Sequence, residues 1–264
     1  MTRELEPHLS LVIPLYNEAE NLPVLAAEIR QALAPTARSW ECLFVDDGST
    51  DGSFEVLVAL AAQDKTIRIL RHRRNAGQSA ALAAGFAAAR GAVVVTLDAD
   101  LQNDPADIPA LLSRLGESAA TSDCDAVSGI RRRRQDSWVR RISSRVANAV
   151  RNWATDEQVS DVGCSLKAYR REVLAGLPMF TGMHRFLPTL ARWNGARLAE
   201  IPVNHRPRLH GTAKYGIGNR LFRALADLMA VRWMRTRWIP RGNLEMVQII
   251  KTAEAVETIA ELPR

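Results

Sequence analysis

The chain has 264 residues, 47% of them hydrophobic and 24% charged, enough for one large α/β domain with a sizeable core and, on length alone, for two. Its three cysteines, Cys42, Cys124 and Cys164, are odd in number and form no C-x-x-C pair, which excludes a disulfide framework or a zinc ribbon and fits a reducing compartment. A formal net charge of +6 points to an anionic partner, and composition leaves nucleic acid, acidic membrane lipid and phosphorylated small molecules open.

The first residues show no basic region followed by an apolar one, so no signal peptide is expected. Leu9–Ile13, Cys42–Val45, Ile67–Leu70 and Val93–Leu97 are short runs rich in Val, Ile and Leu and predict buried parallel strands. Between the first two, Leu22, Leu25, Ile29 and Leu33 share one helical face, with Asn21 as the expected N-cap and Pro23 in the first turn. Phe54–Ala62 predicts the next crossover helix, and the alanine-rich Ser79–Arg90 a tightly packed one. This alternation over 9–100 predicts an open, largely parallel sheet whose ligands sit beyond the carboxyl ends of the strands.

The second half is more basic. After Arg131–Arg134, the residues Trp138, Ile142, Val146, Ala149 and Trp153 recur at helical spacing, with Arg140, Arg141, Arg145 and Arg151 off that stripe. Phe222, Leu225, Met229 and Trp233 form a second stripe, opposite Arg220, Arg223 and Asp227. Leu221–Ile239 is the nearest approach to a membrane span, and Arg223, Asp227, Arg232, Arg235 and Arg237 interrupt it, so no spanning helix is expected. Residues 239–264 read as a tail with one short helix around Leu244–Ala260.

Three polar motifs follow predicted strands. Asp98-Ala99-Asp100 places two carboxylates on one side of an extended chain, about 7 Å apart. Such a pair is stabilised by a cation between them; Mg²⁺ or Mn²⁺ suits hard oxygen ligands, and Gln102 can add a carbonyl oxygen. A solvated acidic loop is the alternative for a bare D-x-D. In Asp46-Asp47-Gly48-Ser49-Thr50-Asp51-Gly52, Asp47, Ser49, Asp51 and Gly52 fit the start of a calcium loop, but Val58 stands where its closing Glu is required, which excludes that reading. A carboxylate there can accept from a nucleobase or ribose, or the segment is a turn and helix cap. In Pro14-Leu15-Tyr16-Asn17-Glu18, Tyr16 can stack on a base and Glu18 accept from ribose; a plain strand-to-helix loop is the alternative. No dinucleotide turn, P-loop or H-E-x-x-H is present, and His205 and His210 are spaced as polar loop residues rather than a zinc pair.

Taken together, VIPLYNE (12–18), VDDGSTDGS (45–53), RNAGQSAALAAG (74–85) and LDADLQNDP (97–105) resemble the family 2 glycosyltransferases. SGIRRRRQD (128–136), SDVGCSLKAYRREV (160–173), HRFLP (184–188) and VNHRPRLHGTAKYG (203–216) are similar to its polyprenyl-phosphate members, the group of dolichol-phosphate mannose synthase. The resemblance covers 8–238, including the basic segment 131–153. It implies a GT-A type α/β fold with a mostly parallel sheet, and an inverting transfer of one sugar from a GDP- or UDP-sugar to a polyprenyl phosphate at the cytoplasmic membrane face.

Carried over residue by residue, it implies Pro14, Tyr16, Glu18, Asp46 and Asp98 at the nucleotide sugar, Asp98, Asp100 and Gln102 at the metal, and Arg208 and Lys214 at the leaving diphosphate. Arg131 would meet the acceptor phosphate or the donor, and Asp161 stands where many members carry a catalytic carboxylate. A phosphate acceptor is already ionised near neutral pH and makes less demand on a base. Ala213 stands where the family often has Ser, and the Q-x-x-R-W signature of processive synthases is absent, which favours single-sugar transfer. A peripheral protein on an anionic membrane surface is therefore expected, held by the 131–153 helix, by the Phe222–Trp233 stripe, or by an anchoring partner or second copy. A family 2 transferase with a soluble or cell-envelope saccharide acceptor is the runner-up. A nucleic-acid-binding module using Arg131–Arg134 is weighed and set aside, since no recognised module accompanies the arginines.

Overall fold

The computed structural model describes residues 7–36, 38–116, 118–131, 159–207 and 217–238, with backbone alone for 217–225. The basic helix expected over 138–153, the tail 239–264, Arg208 and Lys214 lie outside the described residues.

Seven strands form one sheet in the order β3-β2-β1-β4-β6-β5-β7. They are β1 Leu9–Leu15, β2 Trp40–Asp46, β3 Ile67–Arg71, β4 Val93–Thr96, β5 Ala126–Arg131, β6 Lys167–Arg170 and β7 Leu198–Val203. β1 pairs in parallel with β2 and β4, β2 with β3, and β5 with β7. β6 runs antiparallel to both neighbours, β4 and β5, so it alone is reversed. All of β1 and β4 is buried, as continuous aliphatic runs covered on both faces must be.

The helices are α1 Leu22–Leu33, α2 Ser53–Gln63, α3 Gln78–Ala88, α4 Ile108–Leu115, α5 Leu187–Trp193 and α6 Ile217–Arg235. One core layer lies between the sheet and α1 and α4, joining Leu11, Ile13 and Val95 to Leu25, Ile29 and Leu111. The opposite layer joins Val12, Val45 and Val94 to Leu82, Phe86, Leu187 and Leu190 of α3 and α5. The alanines of α3 serve close approach: a methyl group built on Gly85 would come 2.2 Å from Val12 Cγ1, so the helix lies nearly on the backbone of β1.

The sequence reading and the fold differ at informative places. β4 ends at Thr96 rather than Leu97, so Asp98 sits in the turn after the strand, and Leu101 takes a positive φ of 60° to complete that turn. Asn21 does precede α1, but it makes no capping bond; its Nδ2 donates to Glu18 Oε2 at 2.6 Å. β6 escaped the apolar-run pattern because it carries charge inside, Lys167 and Arg170; β7 is largely half-exposed, and β5 is interrupted by Ser128 and Gly129.

A buried polar cluster closes the amino-terminal edge of the sheet. Glu41 Oε1 accepts from Ser10 Oγ at 2.6 Å and from the Arg90 amide at 2.8 Å, and Glu41 Oε2 accepts from Arg68 Nη1 at 2.6 Å. Burial alone would raise the carboxyl pKa, but the bonds from Ser10, Arg90 and Arg68 outweigh it and hold it below its ordinary 4.5. A depressed folded pKa means that the stabilisation is present above 4.5 and is lost as pH falls through the lower folded value. Glu41→Gln is therefore expected to cost about 2 kcal/mol at neutral pH, with the gap to wild type narrowing on acidification below 4.5; urea denaturation across pH measures it. A gap that is constant with pH would contradict this account of the cluster.

Candidate active site

Two loops at the carboxyl edge of β1 and β2 are sewn together by side chains. The Asn17 amide donates to Ser49 Oγ at 2.9 Å, the Glu18 amide to Ser53 Oγ at 2.9 Å, and the Ala19 amide to Asp51 Oδ2 at 3.1 Å. Asn17 itself adopts a φ of 55° and accepts from the Thr50 amide at 2.8 Å. The polar residues of 45–53 thus build the rim of a site, and Asp51 serves that rim and the Ser53 amide at the start of α2.

A third loop is fastened to the same rim by Asp47. Its Oδ1 accepts from the Ala76 amide at 2.9 Å and its Oδ2 from the Gly77 amide at 2.7 Å, with His72 Nδ1 2.7 Å from Oδ1. Gly48, at φ 74°, lies so close to this loop that a β-carbon would stand 2.7 Å from the Arg74 carbonyl carbon. Asp46 is fully buried below the rim, where Oδ1 accepts from the Ser49 amide at 2.9 Å and Arg71 Nε lies 3.3 Å from Oδ2. The carboxylate that reaches the cavity from this motif is Asp47, not Asp46.

Two adjoining cavities open here. The smaller, about 160 Å³, is bounded by Pro14, Tyr16, Glu18, Asp47, Asp98 and Asp100. The larger, about 720 Å³, runs from Asp98 along Gln78, Ser79, the 162–165 loop and Lys167 to His184 and Asp227. Pro14, Gly77, Gln78 and Asp98 border both. The structure therefore gathers Pro14, Tyr16, Glu18, Asp98 and Asp100 at one place. Asp98 Oδ1 accepts from Gln78 Nε2 at 2.8 Å, and Asp100 Oδ1 from the Gln102 amide at 3.2 Å. Gln102 borders neither cavity, and its carbonyl accepts from the Arg206 amide at 2.8 Å.

Among the described residues no three His, Cys, Asp or Glu side chains converge into a ready-made metal cage. Two carboxylates bordering one cavity nonetheless match the donor set of Mg²⁺ or Mn²⁺, which takes one or two protein carboxylates and completes its shell with phosphate oxygens and water. Asp98 and Asp100 fit such an ion.

Arg131 and Asp161 meet each other. Arg131 Nε and Nη2 each donate to an Asp161 carboxylate oxygen at 2.7 Å, and the Arg131 amide donates to Oδ2 at 3.3 Å. Gly163 lets the guanidinium pass, since a β-carbon there would stand 2.7 Å from Arg131 Nη2. The pair flanks the 162–165 wall of the larger cavity.

The far end of that cavity holds residues to which the sequence reading gave no role. Ser79 Oγ accepts from the Gly182 amide at 3.0 Å and lies 2.8 Å from His184 Nδ1. Burial, with Arg185 next, pushes the imidazole down to about 4, so His184 is neutral at physiological pH. Arg185 lies 3.7 Å from Asp227, which α6 delivers against Gly182. The segments 74–85 and 184–188 stood out as motifs, but nothing in their residue types said that they would meet.

The family model described as Glycosyl transferase family 2 matches residues 10–177. An undecaprenyl-phosphate 4-deoxy-4-formamido-L-arabinose transferase from Aeromonas hydrophila subsp. hydrophila is 41% identical over 211 residues, 79% of this chain and 63% of that protein. A dodecaprenyl-phosphate galacturonate synthase from Rhizobium johnstonii is 37% identical over 227 residues, 84% of this chain and 66% of that protein. The chain thus spans slightly under two thirds of the length of these curated relatives. A glucosyl-3-phosphoglycerate synthase from Mycobacterium tuberculosis, solved with Mn²⁺, UDP and phosphoglyceric acid, superimposes with a TM-score of 0.65 at 21% identity, covering 87% of this chain and 78% of that one. A mannosyltransferase from Pyrobaculum calidifontis, solved with GDP-Man and Mn²⁺, gives 0.61 at 21% identity, covering 88% and 64%. At that identity the two structures bear on the fold.

The contact of Gly48 with the Arg74–Asn75 backbone generates a prediction. Gly48→Ala adds a β-carbon at a positive φ, costing roughly 1–2 kcal/mol, and pushes the 74–77 loop off the rim. Thermal unfolding is expected to shift downward and nucleotide affinity to fall about tenfold or more. Unchanged affinity would show that the loop does not shape the smaller cavity.

Proposed function

The chain belongs to glycosyl transferase family 2 and has the GT-A fold, and from that premise we propose that it moves a single sugar from a nucleoside-diphosphate sugar to a polyprenyl phosphate, with inversion at the anomeric carbon. The observation that carries the reading is the pair of cavities meeting at Asp98. A donor spans the junction: its nucleoside lies in the smaller cavity, on Tyr16 and Pro14 with Glu18 and Asp47 accepting from its donors, and Asp46 holds the rim from beneath. The sugar projects into the larger cavity, where the acceptor meets it.

A bound Mg²⁺ or Mn²⁺ at Asp98 and Asp100, with Gln102 contributing to that loop, would neutralise charge on the leaving diphosphate. Arg208 and Lys214 share that role in the proposal. The acceptor phosphate attacks from the side opposite the leaving group, which is the side of Asp161 and Arg131. Both Asp161 oxygens are occupied by the Arg131 guanidinium, so the pair acts as one unit that orients the entering group. An ionised phosphate oxygen needs no proton removed before it attacks.

The proposed acceptor lives in a bilayer, and the described residues contain no helix long and apolar enough to cross one. The outer face of α6 offers an alternative means of attachment. Met229 is 65% exposed and Trp233 59% exposed; Arg232, Arg235 and Arg237 are exposed beside them. Its inner face carries Asp227 to the larger cavity and buries Val231. Tryptophan with nearby arginines suits the headgroup region of an anionic leaflet. The proposal places the protein at the cytoplasmic face of the membrane, with the cavity mouth near the lipid.

The test is transfer of labelled sugar from a panel of GDP- and UDP-sugars, with Mn²⁺ and anionic vesicles containing undecaprenyl phosphate. Label is expected in the organic phase, and Asp100→Asn is expected to reduce the rate roughly 100-fold while the variant keeps its melting temperature. Label entering only a water-soluble acceptor would overturn the lipid acceptor, and an undiminished rate in Asp100→Asn would overturn the metal assignment.

A further inference from the structure

Lys167 is a cation inside the sheet. It belongs to β6, in register with Thr96 of β4 and Ser128 of β5, and it is 3% exposed between the fully buried Leu166 and Ala168. Its Nζ donates to the carbonyl of Cys164. Other part-buried cations near the site have carboxylate partners: Arg131 has Asp161, Arg185 has Asp227, and Arg206 has Glu28 and Asp104. Among the described residues no carboxylate stands within hydrogen-bonding distance of Lys167 Nζ. A buried ammonium whose one hydrogen-bond partner among the described residues is a neutral carbonyl is costly, and a fold that keeps it gains by having an anion arrive.

The side chain borders the larger cavity and not the smaller one. Asp98 and Asp161 each favour the ammonium electrostatically, while burial, the larger influence, lowers its pKa below the ordinary 10.5. Cys164, Arg131 and His184 are further titratable or charged groups coupled to it. This position is past the metal carboxylates and beside the wall where the entering group must stand.

We propose that Lys167 binds a phosphomonoester dianion in the larger cavity, the phosphate of the sugar acceptor. This rests on the reading of the chain as a transferase with a phosphate acceptor. The ammonium holds a non-attacking oxygen of the phosphate and leaves a second oxygen directed at the sugar. Arg131 and Asp161 approach the same group from the 162–165 wall.

Calorimetry with farnesyl phosphate, inorganic phosphate and nucleoside diphosphate plus Mn²⁺ tests the assignment. Lys167→Gln keeps a donor for the Cys164 carbonyl and removes the charge; Lys167→Arg keeps the charge. The expected result is a loss of about tenfold or more in farnesyl phosphate affinity for Lys167→Gln, with nucleoside diphosphate changed by less than about twofold, and near-complete retention in Lys167→Arg. Equal farnesyl phosphate affinity in wild type and Lys167→Gln would overturn the assignment, as would a matching loss for the nucleotide. Wild type that binds inorganic phosphate through Lys167 but not farnesyl phosphate would uphold the anion site and sink the lipid acceptor; wild type that binds neither would sink both. A measurement on the unmutated chain guards against a folding defect. The lysines are Lys65, Lys167, Lys214 and Lys251, so ¹³Cε-lysine spectra resolve them. The Lys167 signal, assigned by its absence from the Lys167→Arg spectrum, is expected to shift on adding farnesyl phosphate, and an unmoved signal would overturn the proposal.

Discussion

Crowding of negative charge at one edge of the sheet is the constraint on which the rest of the structure depends. The strands β1, β2 and β4 run the same way; Asp46 ends β2, and the turns after β2 and β4 carry Asp47, Asp98 and Asp100. Four carboxylates on one rim repel unless each is given compensating donors. Two are engaged by the protein's own frame: Asp46 by the Ser49 amide, with Arg71 3.3 Å from its other oxygen, and Asp47 by the amides of Ala76 and Gly77. The loop geometry follows from those bonds, including the glycine contact at Gly48 and the placement of α3. The other two, Asp98 and Asp100, border the cavities, where a divalent ion and a diphosphate can complete their surroundings.

The larger cavity is built on a different principle. Its walls pair charges among themselves, Arg131 with Asp161 and Arg185 with Asp227, and His184 is kept neutral by burial. Lys167 and Asp98 also border it, and among the described residues Lys167 has the Cys164 carbonyl and no carboxylate within hydrogen-bonding distance. The helix α6 then links this interior to the outside, since the same helix turns Asp227 inward and Met229 and Trp233 outward.

Much of this was legible in the sequence, and the exceptions have physical reasons. The apolar run at 67–70 became the edge strand β3, which is half-exposed after Ile67 rather than buried; those at 9–13, 42–45 and 93–97 became β1, β2 and β4 because strands covered on both faces need aliphatic residues throughout. The leucine stripe of 22–33 became α1 for a similar reason. Strands β5 to β7 were missed: burial of Lys167 and Arg170 in β6 broke the pattern, and the partial exposure of β7 removed it. The D-x-D was recognised, but strand alternation was the wrong geometry for it, because β4 ends two residues before Asp98. Choosing between Asp46 and Asp47 needed the position of the 76–77 amides, which are distant in sequence. The Ser79–His184 contact spans 105 residues, beyond what local pattern can show. Asn21 read as a cap by residue type, yet its side chain orients Glu18.

The central claim is that Asp98 and Asp100 hold a divalent ion against the donor's diphosphate. Electron–nuclear double resonance on Mn²⁺ bound to the protein with UDP or GDP tests it most directly, because a ³¹P coupling appears only when phosphate oxygens ligate the metal. The account predicts a strong ³¹P coupling in the wild type and its loss in Asp98→Asn at the same metal and nucleotide concentrations. The same coupling in Asp98→Asn, or Mn²⁺ bound without any ³¹P coupling in the wild type, would contradict it.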